Sequence, residues 1–572
     1  MRGREPHNFR RRGLWLVLAF AAMALAVLGR LVQVQVLEAP ALAAQAAAQH
    51  TTSITLHGNR GEILDRDGRV LASNRTVYDV FCDPALVDAS QRDSVAKQVA
   101  PIINVSAAAI ERALQQPNQF DYLSKGVSQT VDNRLAALGI PGIGTIPTQQ
   151  RVYEPSPVPG VSFGANMLGF VDADGQGQYG VEQYYDSILA GTAGHESSLV
   201  DLDGNPIVLG GGSMAPAHDG DNIQLGLDSQ AQYWAEIALA QGVETSQAQS
   251  GTLMIMDTKT GSLRAWAQYP SYNANAYGSG DIADFRDLAV SQPYEPGSIM
   301  KSVTFAGGLK NHAITPQTVI DERQQVIDGA LIHDWDLRSH GYVTMQRVLD
   351  LSLNNGAIAV QQMEGQNAFY ANMLSFGIGA PTGVDLAGEV NNPLPKQSSW
   401  SELNYATAAF GQGVVVTPVE MLAAINAIAN GGVWVQPHAV DAVIDPATGK
   451  ATPFVPRTRR VMPASDASTL AHMMVGVVED PGAEGFMAKI PGYGGQIAGK
   501  TGTASVAVNG VYGGDVIVSF VGFMPADHPQ FTMMVVLRYP QEHGIPRFGS
   551  MLAAPVWKQV AQLLIDEWRI MP

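Results

Sequence analysis

A serine three residues ahead of a lysine, introduced by proline and glycine, is the pattern in this chain best placed to do chemistry. It reads Tyr294-Glu295-Pro296-Gly297-Ser298-Ile299-Met300-Lys301. Acyl transfer to a serine needs a nucleophile, a base to take its proton, and donors for the oxyanion. Proline and glycine just ahead of Ser298 mark a helix start, and residues 298–308 can continue it. Ser298 and Lys301 are then neighbours on one face, one turn apart. A helix N-terminus also aims backbone N–H groups at developing negative charge. Lysine serves as the base only if burial or a positive neighbour depresses its pKa. The spacing alone is not diagnostic. Ser94-Val95-Ala96-Lys97 repeats it, but in a polar stretch with no Pro-Gly start, and reads as solvated surface.

Two further triplets follow in order: Ser352-Leu353-Asn354, then Lys500-Thr501-Gly502 with Thr503. Each has a double elsewhere, Ser271-Tyr272-Asn273 and Lys259-Thr260-Gly261, but both doubles precede Ser298. Lys259-Thr260-Gly261 falls between two strand-like runs, where polar triplets with glycine are expected as turns. Lys500-Thr501-Gly502 instead runs into Thr503-Ala504-Ser505-Val506 ahead of two strands, so it can form a sheet strand facing the nucleophile helix. The succession S-x-x-K, S-x-N, K-T-G resembles the penicillin-binding transpeptidases, a pattern shared with class A β-lactamases. Leu353 stands where the commoner triplet has aspartate.

The resemblance extends along nearly the whole chain. Arg60-Gly61-Glu62-Ile63-Leu64-Asp65-Arg66-Asp67-Gly68 with Leu71-Ala72 looks like the opening motif of class B penicillin-binding proteins, and Gly180-Val181-Glu182 like another motif of their N-terminal domain. Phe410-Gly411-Gln412-Gly413 with Thr417-Pro418, and Ala553-Ala554-Pro555, resemble later stretches of their transpeptidase domain. The resemblance implies a peptidoglycan D,D-transpeptidase that cross-links stem peptides and is acylated by β-lactams, with no cofactor and no metal. By the same resemblance Ser298 is the nucleophile, Lys301 its base, and Ser352 and Lys500 the relay to the departing D-alanine. Asn354 would bond the donor's amide, Thr501 and Thr503 its carboxylate, and the N–H groups of Ser298 and Thr503 the oxyanion. The donor would lie along the Lys500-Thr501-Gly502-Thr503 strand by main-chain pairing.

The Tyr-Glu-Pro-Gly-Ser form resembles the division-specific, FtsI-type branch, where elongation-type enzymes more often have Pro-Pro-Gly-Ser. A glycosyltransferase domain has no room here, so a lipid-II-polymerising partner of the SEDS family (FtsW-like), among other divisome membrane proteins, is implied. A β-lactamase is the nearest rival, but Trp400 stands where class A enzymes place a glutamate ahead of Ser401-Glu402-Leu403-Asn404. A silent scaffold is at odds with intact Ser298, Lys301, Ser352 and Lys500. A β-lactam sensor would need an output domain larger than the short N-terminal tail.

These residues must be positioned by several domains, because 572 residues exceed one domain by the usual prior. The formal net charge of -17 argues against nucleic acid as a partner, since phosphate binding needs clustered Lys and Arg. The basic cluster is terminal: Arg2, Arg4, Arg10, Arg11 and Arg12. An uncharged run follows at residues 14–29, then Arg30, then apolar character to Leu37. About 20 helical residues span a bilayer, and the preceding arginines put the N-terminus in the cytoplasm and the rest outside. A cleaved signal peptide ending at Ala41-Leu42-Ala43 is the rival reading, disfavoured by the length of the run. The lone Cys82 forms no intramolecular disulfide and reads as a small buried hydrophobe. No Cys/His cluster has zinc-ligand spacing.

The expected order is a tail at 1–12, an anchor helix at 13–37, a β-rich pedestal at 38–215, and a transpeptidase domain at 216–572. The boundary is the linker-like Leu209-Gly210-Gly211-Gly212-Ser213. Strands are expected at Ser53–Leu56 and Val77–Phe81, with a turn at Asp65-Arg66-Asp67-Gly68. A hairpin follows from Gly251 and Ser262, then helices between about Gly297 and Ala429. Strands return from Val516 and Gln530, and a last helix runs from about Pro555 to Trp568, with no tail domain after Pro572. An antiparallel sheet with helices grouped in the middle is an α+β layout.

Overall fold

The structure, a computed structural model, describes residues 7–42, 51–56, 58–199, 213–508, 511–542 and 544–571. Arg2, Arg4, Ala43 and the linker residues Leu209–Gly212 lie outside them. Contacts divide the chain into two compact units, one of residues 1–58 and 191–219, the other of 59–190 and 220–572.

In the first unit the helix His7–Val32 continues through a wider turn, Gln33–Leu37. Arg11–Leu37 is the one helix among the described residues long and apolar enough to cross a membrane, with mean hydropathy 2.2 and no burial. Alanine and leucine give it helical propensity, and together with valine an apolar surface on every side. A small antiparallel sheet joins Thr51–Leu56, Gly194–Leu199 and Ser213–Ala215.

The second unit is built on a five-stranded antiparallel sheet. Its order is Leu263–Tyr269, Ser250–Asp257, Phe531–Arg538, Val511–Met524, Ala498–Val508. The central strands are largely apolar on both faces and buried over most of their length, Phe531–Arg538 without a break, because each face is covered. Helices Ser229–Ser246 and Gly549–Glu567 pack on one face around Leu239, Phe520 and Trp557. On the other lie helices Met300–Lys310, Pro418–Ala429 and Ala464–Glu479, around Met300, Leu422 and Met474. Ala498–Val508 is an edge strand.

The hairpin register Gly251↔Tyr269 and the turn at Thr258–Gly261 agree with the alternating sequence pattern. The last helix starts at Gly549 rather than Pro555. Pro555 is carried inside the helix, past its first turn, while Gly549 N donates to Thr503 Oγ1 at 3.1 Å.

A second sheet runs Ala451–Pro453, Val440–Ile444, Asn222–Leu225, Ile63–Leu64, Val70–Cys82, Asp121–Val127, with Ile143–Tyr153 also on Val70–Cys82. It weaves early and late segments together through Asn222–Leu225, which pairs with Ile63–Leu64 in parallel and with Val440–Ile444 antiparallel. Beneath it Arg60 and Arg151 clasp the fully buried Glu182 at 2.7 and 2.8 Å. Two guanidiniums compensate a carboxylate that would otherwise be costly to bury. The turn at Asp65–Gly68 forms as expected, with Gly68 at φ +85° and Asp65 Oδ1 accepting from Asp67 N and Arg69 N. A separate small core around Val80, Cys82 and Val99 buries the cysteine, and burial raises its thiol to about 11.

Candidate active site

Ser298 sits where the chain tightens into a 3-10 turn, Gly297–Ile299, which opens directly into the helix Met300–Lys310. Gly297 is the hinge of that entry. Its φ is +54°, and a Cβ there would lie 2.7 Å from the carbonyl oxygen of Thr503. Only glycine lets the nucleophile turn approach the edge strand so closely. Gly297 N also donates to Gly411 O at 3.1 Å, tying in the segment around Gly411.

Lys301 and Lys500 are fully buried and meet at one hydroxyl. Lys301 Nζ donates to Ser352 Oγ at 3.1 Å, to Asn354 Oδ1 at 2.8 Å and to the Ser352 carbonyl. Lys500 Nζ donates to Ser352 Oγ at 2.9 Å and to Thr501 Oγ1 at 3.2 Å. Burial first, then the charge of Lys500, lowers Lys301 to about 7. Burial lowers Lys500 too, opposed by Glu484. None of Lys301's hydrogen bonds runs to Ser298 among the described residues.

Ser352 reaches this position through unusual backbone. Helix Met345–Asp350 ends at Leu351, Ser352 adopts left-handed φ +54°, and Leu353 begins the helix Asn354–Glu364. A non-glycine residue held there must be over-determined by its surroundings. The buried Asp334 supplies part of that hold, its carboxylate accepting from Asn354 N and, at 3.3 Å, Asn355 N. It thereby caps the second helix from a distant loop. Asn354 Nδ2 donates to His333 O at 3.1 Å. Asp334, Glu322 and His340 bring potential metal-ligand atoms within 4.8 Å of one another. Their geometry is that of a brace, because Asp334 is committed to the helix and Glu322 accepts from His340 N at 2.8 Å. Burial and the adjacent Asp334 push the Glu322 carboxyl up.

A cleft of about 690 Å³ opens over Ser298, Asn354, Thr501 and Thr503. Trp335 and Phe548 meet edge to face in its wall, with centroids 5.8 Å apart. The doubles lie elsewhere. Ser94 is on the helix Arg92–Ile103, and Lys97 pairs with Asp93 in solvent. Ser271 bonds Asn166, and Lys259 reaches Asn430 from its turn. Ser401-Glu402-Leu403-Asn404 is a capping box, Ser401 and Asn404 closing the start of the helix Glu402–Ala408. Sequence reasoning missed Asp334 and Glu484. Each is an ordinary acid in a polar loop, and no local signal marks it.

Residues 251–562 match the family model for the penicillin binding protein transpeptidase domain, and residues 55–225 that for the penicillin-binding protein dimerisation domain. The penicillin-binding protein PbpB of Mycobacterium tuberculosis is 31% identical over 93% of this chain and 81% of its own length. The peptidoglycan D,D-transpeptidase FtsI of Escherichia coli is 28% identical over 100% of this chain and 94% of its own. The crystal structure of penicillin binding protein 3 from Mycobacterium tuberculosis, complexed with aztreonam, superposes with TM-score 0.69 at 26% identity, covering 90% of this chain and 98% of that one. With both domain models matched in order along the chain, the chain belongs to the penicillin-binding proteins that join a dimerisation domain to a transpeptidase domain.

Proposed function

We propose that the protein is a peptidoglycan D,D-transpeptidase acting through an acyl-enzyme on Ser298. The observation that carries the reading is the Lys301–Ser352–Lys500 chain of hydrogen bonds beside Ser298, under a cleft edged by an open strand. Lys301, lowered to about 7, can be neutral at physiological pH and take the Ser298 proton. Ser298 Oγ attacks the penultimate D-alanine carbonyl, and the N–H groups of Ser298 and Thr503 receive the oxyanion, each worth roughly 3 kcal/mol. The C–N bond then breaks. Ser352 passes a proton to the leaving D-alanine nitrogen and is reprotonated from the lysines at 2.9 and 3.1 Å. The amine of a second stem attacks the ester by the reverse path and restores Ser298. A β-lactam amide opens by the same attack but keeps its amine tethered, so the ester persists.

Asn354 would hold the donor's amide and Thr501 and Thr503 its carboxylate, with the donor added as a strand beside Ala498–Val508. Residues 38–215 would serve as pedestal and 216–572 as the transpeptidase domain, as the spans of the two family models support. The helix Arg11–Leu37 would anchor the chain with its N-terminus in the cytoplasm, since Arg10, Arg11 and Arg12 precede the apolar run. The name of the Escherichia coli relative and the Tyr294-Glu295-Pro296-Gly297-Ser298 form support a septal role with a SEDS-type polymerase partner.

Labelling with a fluorescent penicillin, followed by peptide mass spectrometry, tests the chemistry. The adduct should sit on Ser298, persist for many minutes and vanish in Ser298→Ala. An adduct on Ser94, or one that survives the substitution, refutes it. A fluorescent fusion tests the septal role: mid-cell signal is expected, and side-wall signal alone contradicts it.

A further inference from the structure

The two threonines of the edge strand are not equivalent. Thr503 Oγ1 accepts from Gly549 N at 3.1 Å, and among the described residues its single proton is left for a ligand. Thr501 Oγ1 accepts from Lys500 and donates its proton to Glu484 Oε2 at 2.7 Å. Glu484 lines the same cleft as Ser298 and both threonines, and its carboxylate also lies 3.5 Å from Lys500 Nζ. Its backbone is held by Glu484 N donating to Asp350 O at 3.0 Å. Among the described residues its carboxylate has no other hydrogen-bond or ion-pair partner than Thr501 and Lys500.

We propose that Glu484 is a resident carboxylate that occupies the donor-carboxylate subsite and must cede the Thr501 hydroxyl and Lys500 to an arriving acid, making it a specificity-determining gate on acylation. The inference rests on the proposed transpeptidase reading, in which Thr501 receives the donor's terminal carboxylate. A hydroxyl has one proton to give. An incoming carboxylate therefore finds Thr501 already donating, and finds a like charge beside Lys500. Two carboxylates at one subsite repel. Glu484 must swing away or take up a proton before an anionic ligand can bond Thr501. A neutral ligand carries no such penalty, because Thr501 can leave its proton on Glu484. The gate therefore discriminates against the ligand's charge, and stem peptides or β-lactams with a free acid bear its full cost.

The test compares wild type, Glu484→Gln and Glu484→Ala, reading the second-order rate of acylation by a fluorescent penicillin and by the methyl ester of the same penicillin. Work at about pH 8.5 keeps Lys301 neutral in every form, so that loss of the Glu484 charge does not act through the base. Both variants should acylate roughly tenfold faster with the acid and change less than about twofold with the ester, the scale of one like-charge contact in a partly shielded cleft. Equal gains with both ligands would mean a merely loosened cleft and would overturn the proposal. So would unchanged rates, or a loss in both variants, which would make Glu484 a support for Lys500. Failure of wild type itself to form a Ser298 adduct would overturn the transpeptidase reading and this inference together, and is seen before any variant is compared.

Discussion

Lys301 and Lys500, two fully buried ammonium groups, share one acceptor, the Ser352 hydroxyl, at 3.1 and 2.9 Å. Two cations so close in a shielded site disfavour each other's charge, and burial adds to the penalty. Their sequence separation hides this entirely. The consequence is a base and a cation made from the same residue type by position alone. Lys301 is lowered to about 7 and lies nearer the nucleophile turn, while Lys500, with Glu484 opposing its loss of charge, faces the ligand cleft.

The rate of penicillin acylation should therefore rise with pH through about 7, where Lys301 loses its proton. The sign is fixed by the role: only the neutral amine can accept the Ser298 proton, so activity grows as the group deprotonates. In Lys500→Met the like charge is gone, and the rising limb should move to higher pH as well as fall in height. A profile flat between pH 6 and 9 would contradict Lys301 as the base.

Lys500→Ala should slow acylation by about a hundredfold or more, the scale of a positioned proton-transfer group. Lys259→Ala, in a turn where the exposed side chain reaches Asn430, should change it less than about twofold. Rate measurements on the two purified variants distinguish the triplets, and equal effects would mean that the wrong strand has been assigned.

Gly297→Ala places a methyl 2.7 Å from the Thr503 carbonyl oxygen at a φ of +54°. The strain should cost roughly 2 kcal/mol of stability and push Ser298 away from the edge strand. Thermal melting and acylation together check this. A variant that melts lower but acylates at the wild-type rate would show that the close approach serves packing alone.

Asp334→Ala strips the cap from the helix Asn354–Glu364, leaving the N–H groups of Asn354 and Asn355 without their shared acceptor. The loss should be about 1–3 kcal/mol, with acylation falling because Ser352 and Asn354 are no longer held. Asp334→Asn should restore most of the rate, since an amide oxygen can still accept both bonds. If the asparagine variant is as slow as the alanine one, the carboxylate charge beside Lys301 is what matters, rather than the cap.

The three motifs were legible because each packs its chemistry into a few residues. Ser298 and Lys301 need one helical turn, and Lys500, Thr501 and Thr503 need one strand. The sheet was legible for a similar reason, as the runs from Gly251, Val516 and Gln530 alternate or are wholly apolar. Asp334 and Glu484 were not, because what distinguishes them is where a loop returns, and a loop's path is set by the packing of everything it crosses. The start of the last helix was misplaced because Pro555 reads as a helix opener, whereas the helix begins at Gly549, where its N–H finds Thr503.

Arg30 tests whether the anchor does more than anchor. It lies inside the Arg11–Leu37 helix, and residues 31–37 carry the helix about 10 Å beyond it at 1.5 Å per residue. An arginine within a spanning helix costs roughly 2.5–3.5 kcal/mol at the centre and less towards the ends. Its side chain lies 3.7 Å from Glu38, with Arg30 exposed and Glu38 half-buried, so the pair offers it a partner towards the outer boundary. That geometry fits snorkelling to the headgroups. It leaves most of the guanidinium's donors for a polar group on a membrane partner, and the proposed polymerase is such a partner. Arg30→Leu should leave penicillin acylation and membrane insertion unchanged while weakening co-purification with the polymerase. Arg30→Lys should rescue only in part, because an ammonium does not reproduce the planar fork. Glu38→Gln separates the two roles: it removes the intramolecular pair and should leave co-purification intact. Should the leucine variant co-purify as well as wild type, Arg30 is an interfacial anchor and the partner contact lies elsewhere, with the segment from Arg60 to Asp67 the next to mutate.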